Sequence, residues 1–210
     1  MAKSLEEYCV ANSIRPSALT FELADYTRKA IPGSNMLIGE LEASLLSFLI
    51  HTVGARRVLE LGTFTGYSAL CMAEQLPPDG ELITIDVNPG TTALAQSYWD
   101  KSPHGKKIHA RLDGGEVALA ALKGEFDLIF VDADKVNYPM YVTWARDHLS
   151  ARGVIVVDNT LWSGKVLSEN PDQHTAKIME ATRIATGWDD FVATLLPVRD
   201  GMLLLKRRAS

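Results

Sequence analysis

Apolar positions recur at helical spacing over the first fifty or so residues, and beyond Arg57 short apolar runs alternate with helical stretches. Ser4, with Glu7 three positions on, is a capping-box pattern opening a first helix. Arg15-Pro16-Ser17 starts a second helix that runs to Ala30 and stops at Ile31-Pro32-Gly33. A third is predicted from about Gly39 to His51, with Leu41, Leu45, Leu46 and Leu49 as its apolar stripe. Strands are predicted near 57–61, 81–86, 107–111, 127–132 and 153–157, with helices between them. Leu128-Ile129-Phe130-Val131 and Val154-Ile155-Val156-Val157 are unbroken apolar runs, the pattern of strands buried on both faces. The tail differs: Phe191–Leu196 and Met202–Lys206 flank Arg199-Asp200-Gly201, a hairpin signal. No repeat, low-complexity tract or linker interrupts the chain. These elements predict one α/β domain over 1–210, with extra N-terminal helices (1–54) covering the active site. Its core is a doubly wound, seven-stranded, mostly parallel sheet closed by an antiparallel C-terminal hairpin.

Ligands in such sheets bind beyond the carboxyl ends of the strands, which here carry Gly62, Asp86, Asp113, Asp132 and Asp158. Any one aspartate has a competing reading as a helix cap or loop former; several at one sheet edge are the pattern of a site. The run Glu60-Leu61-Gly62-Thr63-Phe64-Thr65-Gly66-Tyr67 passes from strand through a glycine-containing turn into a helix near Ser68. Glycine permits close backbone approach and a helix N-terminus offers free amides. Asp86, ending the second strand, can take both hydroxyls of a ribose. The Rossmann-like crevice is therefore expected to hold an adenosine-bearing cofactor.

The turn departs from the dinucleotide fingerprint Gly-x-Gly-x-x-Gly. The middle glycine is missing, Phe64 is bulky, and Glu60 would repel a phosphate. A cofactor with adenosine, a positive charge and no phosphate fits better, and S-adenosylmethionine has all three properties. A bare strand–turn–helix without a ligand is the competing reading.

At 210 residues and 47% hydrophobic, the chain can build a full core. Its net charge of −5, with both signs interspersed, counts against a nucleic-acid surface. The apolar runs read as too short and interrupted for a membrane span, and Met1–Glu7 lacks the apolar stretch of a secretory signal. Cys9 and Cys71 read as buried thiols rather than a disulfide or metal site. A cytoplasmic setting is expected.

Val131-Asp132-Ala133-Asp134-Lys135 ends the fourth strand and Val157-Asp158-Asn159 ends the fifth. Neighbouring strands lie about 4.8 Å apart, so Asp132, Asp158 and Asn159 can converge on one ion. All-oxygen donors favour Mg²⁺, with Mn²⁺ or Ca²⁺ as alternatives, over zinc. A turn shaped by Asp158-Asn159 is the plainer alternative. Lys135 follows three residues after Asp132, where a cation and a sulfonium nearby would favour its neutral, basic form. A surface ion pair with Asp134 is its structural alternative.

Leu59–Ser68, Phe130–Lys135 with Asn137-Tyr138, and Asp158-Asn159-Thr160-Leu161-Trp162 together resemble the cation-dependent class I S-adenosylmethionine O-methyltransferases. That family includes caffeoyl-CoA O-methyltransferases, their bacterial relatives and, more distantly, catechol O-methyltransferase. The similarity runs along essentially the whole chain. It implies that Glu60, Gly62, Thr63 and Ser68 hold the methionine end and ribose side of the cofactor, with Asp86 on the ribose hydroxyls. Asp113-Gly114 would lie by the adenine, Asp134 would face the cofactor, and Met36 would line the methyl-transfer region. Asp132, Asp158 and Asn159 would bind the cation, Lys135 would be the base, and Trp162 and Ser163 would meet the acceptor. The implied reaction is methyl transfer to one hydroxyl of an ortho-dihydroxy aromatic, chelated by Mg²⁺.

Two positions depart from the family pattern. Ile38 stands where plant members have a threonine near the metal, and Thr194 where the mammalian catechol enzyme has a substrate-holding carboxylate. Lys3 is the only basic residue before Arg15, which favours a small free catechol over a coenzyme A thioester. An NAD-dependent dehydrogenase, a non-catalytic S-adenosylmethionine-binding protein and a macromolecular methyltransferase are the competing classes. The amphipathic N-terminal helices and the family's habits predict a homodimer. Trp99, Trp144 and Trp188 read as packing residues.

Overall fold

In the computed structural model, which describes residues 4–208, four of the eight α-helices start where a side chain satisfies a free backbone amide. Ser4 accepts from Glu7 N at 3.1 Å and opens α1 (Leu5–Ala11). Ser17 accepts from Thr20 N at 3.3 Å, opening α2 (Ala18–Ala30). α3 (Glu40–Val53) ends on Gly54, whose φ of 62° is left-handed. Strands and helices then alternate: β1 (Arg57–Leu61), α4 (Tyr67–Gln75), β2 (Glu81–Asp86), α5 (Pro89–Trp99), β3 (Ile108–Leu112), α6 (Gly115–Ala121) and β4 (Phe126–Val131). They continue with α7 (Tyr138–Asp147), β5 (Leu149–Val157), α8 (Gln173–Thr186), β6 (Phe191–Leu196) and β7 (Met202–Arg207).

The seven strands form one sheet in the order β3-β2-β1-β4-β5-β7-β6. β1 to β5 are parallel, and β7 pairs antiparallel with both β5 and β6. The strand order reverses between β1 and β4, the switch point at which such sheets open a crevice. Both faces of the central strands are buried. Val58, Leu128, Phe130, Val154 and Val156 pack under α2–α5, while Leu59, Leu61, Ile129, Val131, Ile155 and Val157 pack under α6–α8. Period-two alternation with apolar residues on both sides is why these strands read as continuous apolar runs.

Three expectations need correction. The buried face of α3 is Glu42, Ala43, Ser44, Leu46, Ser47, Ile50 and Val53. Leu45 and Leu49 only flank the core and Leu41 is half-buried, so the predicted stripe was rotated on the helix. Cys9 is exposed, because α1 buries none of its residues, and Cys71 alone is the buried thiol. Finally, Ser34–Val53 has the length and mean hydropathy (20 residues, 1.4) of a membrane span, contrary to the sequence reading. The chain breaks that segment: Leu37 and Gly39 are extended, and α3 itself is 14 residues, short of the ~20 a span needs.

Of the tryptophans read as packing residues, Trp99 is fully buried. Its indole N–H donates to Gly66 O at 3.1 Å. Trp144 and Trp188 pack against the second core from its margin.

Candidate active site

Register places the chemistry in a row. Leu61 pairs with Ile85 on one side and Val131 on the other, and Val131 pairs with Val157. The next residues are Gly62, Asp86, Asp132 and Asp158, so the strand-end residues expected from sequence share one level of the carboxyl edge. Asp113 follows β3 at the same edge and donates its N–H to Asp86 O at 3.1 Å. Asp113 and Gly114 are exposed, and Gly114 caps α6.

The glycines have packing tasks that the sequence reading did not anticipate. A Cβ on Gly62 (φ 99°) would lie 2.0 Å from Asp132 O, so its bareness admits the backbone that follows β4. A Cβ on Gly66 would meet Ala95 and Trp99 at 2.6 Å, so that glycine serves the packing of α4 on α5. Asp86 holds the turn between them. One carboxylate oxygen accepts from Thr63 N (2.9 Å) and Phe64 N (2.8 Å), and the other from Asn88 N (2.9 Å). A carboxylate offers about four lone-pair sites, so Asp86 shapes the crevice as well as facing it. This structural task was not legible in the sequence.

Glu60 lies beneath the turn, completely buried. Thr84 donates to its Oε2 at 2.6 Å and Thr63 bonds Thr84 at 2.6 Å, while Oε1 has no hydrogen-bond partner. Burial pushes the Glu60 carboxyl up to about 8, Ser68 and Thr84 hydroxyls pull it back, and Asp132 and Asp86 add to the rise. An orphaned, buried carboxyl oxygen at a crevice floor fits a cationic ligand such as the charged methionine end of S-adenosylmethionine.

On the β4–β5 side, Asp158 is 2% exposed. Burial first, then the charges of Asp132 and Glu42, hold its carboxyl well above the usual range. Its hydrogen bonds come from its neighbour: Asn159 N at 2.7 Å and Asn159 Nδ2 at 3.4 Å. Two adjacent carboxylates and an amide are a donor set that fits a hard divalent cation. No cluster of three His, Cys, Asp or Glu residues converges among the described residues, so this set is two aspartates and Asn159.

Lys135 Nζ donates to Asp132 Oδ1 at 3.0 Å and to Tyr138 Oη at 2.7 Å, and lies over the Trp162 ring at 5.7 Å. Its ion pair is thus with Asp132, not Asp134. Asp134 instead accepts from Tyr141 Oη (2.5 Å) and Asn137 Nδ2 (2.6 Å).

Backbone strain concentrates at this edge. All five described non-glycine residues with positive φ are here: Phe64 after β1, Asn159, Trp162 and Ser163 after β5, and Arg199 before β7. Each costs on the order of 1–3 kcal/mol and persists where its surroundings over-determine it. Trp162 is half-buried with an unpartnered indole N–H; Ser163 is exposed and donates its backbone N–H to Asp200. Met36 is 56% exposed on the segment before α3.

Glu42 and Arg199 were not anticipated. Glu42 is 1% exposed. Its Oε2 accepts from Gly39 N and, at 3.0 Å, from Arg199 Nη1. The one available signal was an acid on an otherwise apolar helix, which the rotated stripe of α3 concealed. Thr194 lies exposed on the edge strand β6, beyond β7 from the site, so it cannot stand in for a substrate-holding carboxylate. A cavity of about 860 Å³ is lined by residues of α1 and α2, the Arg15–Ser17 connection, Ser34, Leu37–Glu40 and Arg199, and by none of the aspartates of the strand ends.

Residues 11–208 match the O-methyltransferase family. The chain belongs to that family. Among relatives, mouse catechol O-methyltransferase domain-containing protein 1 is 33% identical over 206 residues, covering 95% of this chain and 78% of its own. Caffeoyl-CoA O-methyltransferase of Eucalyptus gunnii is 32% identical, covering 97% of this chain and 87% of its own. The Streptomyces achromogenes O-methyltransferase TomG, solved with SAM, superposes with a TM-score of 0.89 at 27% identity over 100% of both chains. The SAH-bound Podospora anserina methyltransferase PaMTH1 gives 0.87 at 28% identity, covering 96% and 93%. Membership of the O-methyltransferase family displaces the dehydrogenase reading that the crevice alone left open.

Proposed function

We propose that this O-methyltransferase transfers the methyl group of S-adenosylmethionine to one hydroxyl of a small ortho-dihydroxy aromatic, with a divalent cation beside the acceptor. The observation that carries the reading is the adjacency of Asp132, Asp158 and Asn159 to Lys135 and Trp162, at the same sheet edge as Glu60 and Asp86. Relatives solved with SAM or SAH support the cofactor, and catechol- and caffeoyl-type relatives support the acceptor class.

Asp132, Asp158 and Asn159 would hold Mg²⁺, or Mn²⁺ or Ca²⁺. Glu60, Gly62, Thr63, Ser68, Asp86, Asp113, Gly114, Asp134 and Met36 would hold the cofactor. When bound, these groups supply an electrophilic methyl and Lewis acidity at the acceptor hydroxyl. The protein's own part is mainly positioning, which can contribute several kcal/mol. Lys135, as the neutral amine that has given up its ion-pair proton, would take the hydroxyl proton at Nζ, and its contacts to Asp132 and Tyr138 fix where that atom sits. Trp162 offers a ring face to the acceptor, and Ser163 lies beside it. The two free cysteines suit a reducing, cytoplasmic setting. The exposed Leu5, Tyr8, Phe21 and Phe48 of the N-terminal helices support a homodimer, which sedimentation would test.

The test is methyl transfer to a panel of ortho-dihydroxy aromatics with Mg²⁺, then with EDTA. Product that vanishes on chelation and returns with Mg²⁺ is the expected result. Turnover indifferent to EDTA would overturn the cation's role. No product from any acceptor, with cofactor still bound, would favour a non-catalytic binding protein.

A further inference from the structure

Three segments meet where no catalytic role is assigned. Arg199 Nη1 donates to Leu37 O at 2.6 Å and to Glu42 Oε2 at 3.0 Å, and Nη2 to Asn35 O at 3.4 Å. One guanidinium therefore fastens both sides of Met36 and the first turn of α3. That helix runs into β1, so its first turn stands at the carboxyl edge, and α3 packs against β4 and β5. On its other side the Arg199 turn grips the loop after β5. Thr160 N donates to Gly201 O (3.0 Å), Leu161 N to Asp200 O (2.8 Å), and Ser163 N to the Asp200 carboxylate. The fit is close, since a Cβ on Gly201 would lie 2.7 Å from Leu161 N. Arg199 makes these contacts in a left-handed conformation, φ 49°, that glycine would hold at lower cost. The contacts of the Arg199 side chain to Leu37, Glu42 and Asn35 offset that strain.

We propose that Glu42 and Arg199 form a positioning latch that couples the Asn35–Gly39 segment, which carries Met36, to the acceptor-side loop Asn159–Gly164. Glu42 anchors the latch from the protein interior: it is 1% exposed and its Oε1 has no hydrogen-bond partner. Arg199 also lines the 860 Å³ cavity between the N-terminal helices and the Leu37–Glu40 segment, so the latch forms part of that wall. The consequence for acceptor binding rests on the function proposed above; the mechanical coupling does not.

The experiment compares wild type with Arg199→Gly and Arg199→Lys by hydrogen–deuterium exchange of segments 35–42 and 158–167, and by steady-state kinetics. Arg199→Gly relieves the backbone strain but leaves the buried Glu42 carboxylate without its cation and gives up the Leu37 and Asn35 contacts, so its Tm is expected to fall by a few degrees. Exchange should quicken about tenfold in both segments and stay unchanged in 60–68. Acceptor KM should rise about tenfold with kcat within about twofold, and SAH affinity, to which Met36 contributes as one residue among several, should weaken by no more than about twofold. Arg199→Lys keeps a charge for Glu42 but cannot span the Leu37 and Asn35 carbonyls, so it should fall between. Glu42→Gln, which keeps an oxygen for Gly39 N, is a second variant read the same way. Quickened exchange in 35–42 alone, or in neither segment, overturns the latch. Absence of turnover in wild type would sink the proposed reaction while the exchange result still decides the coupling.

Discussion

Glu60 contributes a definite share of the pH response of the folded chain, in the same direction as the raised Asp158 carboxyl. Its carboxyl is raised from 4.5 to about 8, chiefly by desolvation in a fully buried site. In that interval the native state keeps the proton and the unfolded state does not, so unfolding releases a proton and stability falls as pH rises. The contribution is complete below about pH 4.5, declines through pH 8, and is flat above. At 1.36 kcal/mol per pH unit, the whole window is worth about 5 kcal/mol. Glu60→Gln keeps the shape, retains an oxygen for Thr84, and carries no titrating proton. Urea unfolding of both proteins in small steps from pH 5 to 9 reads the effect, because titrating groups that do not act on Glu60, unlike Asp132 and Asp86, cancel in the difference. The stability of wild type relative to the variant should drop by several kcal/mol across that range. Parallel curves, within about 1 kcal/mol throughout, would refute the buried-carboxyl argument. The same proton gives a ligand test: a cationic group docking beside Glu60 should expel it, so S-adenosylmethionine binding at pH 7 should show heats that depend on buffer ionisation enthalpy.

Gly62→Ala drives a Cβ to 2.0 Å from Asp132 O and strains φ 99°. Parting β1 from β4 should cost at least about 3 kcal/mol in chemical denaturation, and a cost under ~1 kcal/mol would mean that the strands yield easily. Asp86→Ala abandons three loop amides, so the ligand-free protein should lose about 2–4 kcal/mol, with Asp86→Asn in between. An unchanged Tm in the ligand-free state would show that Asp86 serves the ligand alone. Asp158→Ala should abolish cation-dependent turnover and spare SAH binding, while removing a buried carboxyl that Asp132 repels. A melting temperature at or above wild type, with activity gone, is expected; surviving EDTA-resistant activity would contradict the role.

The sequence made the sheet legible because a strand buried on both faces leaves a mark that few other structures leave. Phe130-Val131 and Val156-Val157 are such runs, and each stops at an aspartate. Once the strands are parallel and in register, Asp132 and Asp158 must come together. The helices carried less information. The stripe of α3 contains enough leucine to fit two neighbouring faces, and the chosen one turned Glu42 outward when it belongs inward. That single rotation hid the acid, its arginine partner and the connection between them.

What remained illegible has a common physical origin. Gly62 and Gly66 are visible in sequence, yet whether a missing Cβ makes room for a ligand or for another strand depends on a neighbour distant in the chain. Here the neighbours are Asp132 and Trp99, so both glycines are packing residues of the crevice floor. Conversely, Trp162, Ser163 and Arg199, unlike the neighbouring Asn159, adopt left-handed conformations that their residue types do not advertise. Such strain cannot be inferred from local preference, since local preference is what it violates; it is stabilised by contacts made elsewhere. These four lie in two loops bound to one another, joined through Arg199 to the segment before α3. The strand ends place the carboxylates, whereas the loops aim what surrounds them. A change of acceptor within this fold is therefore expected to appear first in 35–42, 159–164 and 198–201, with the aspartate row left intact.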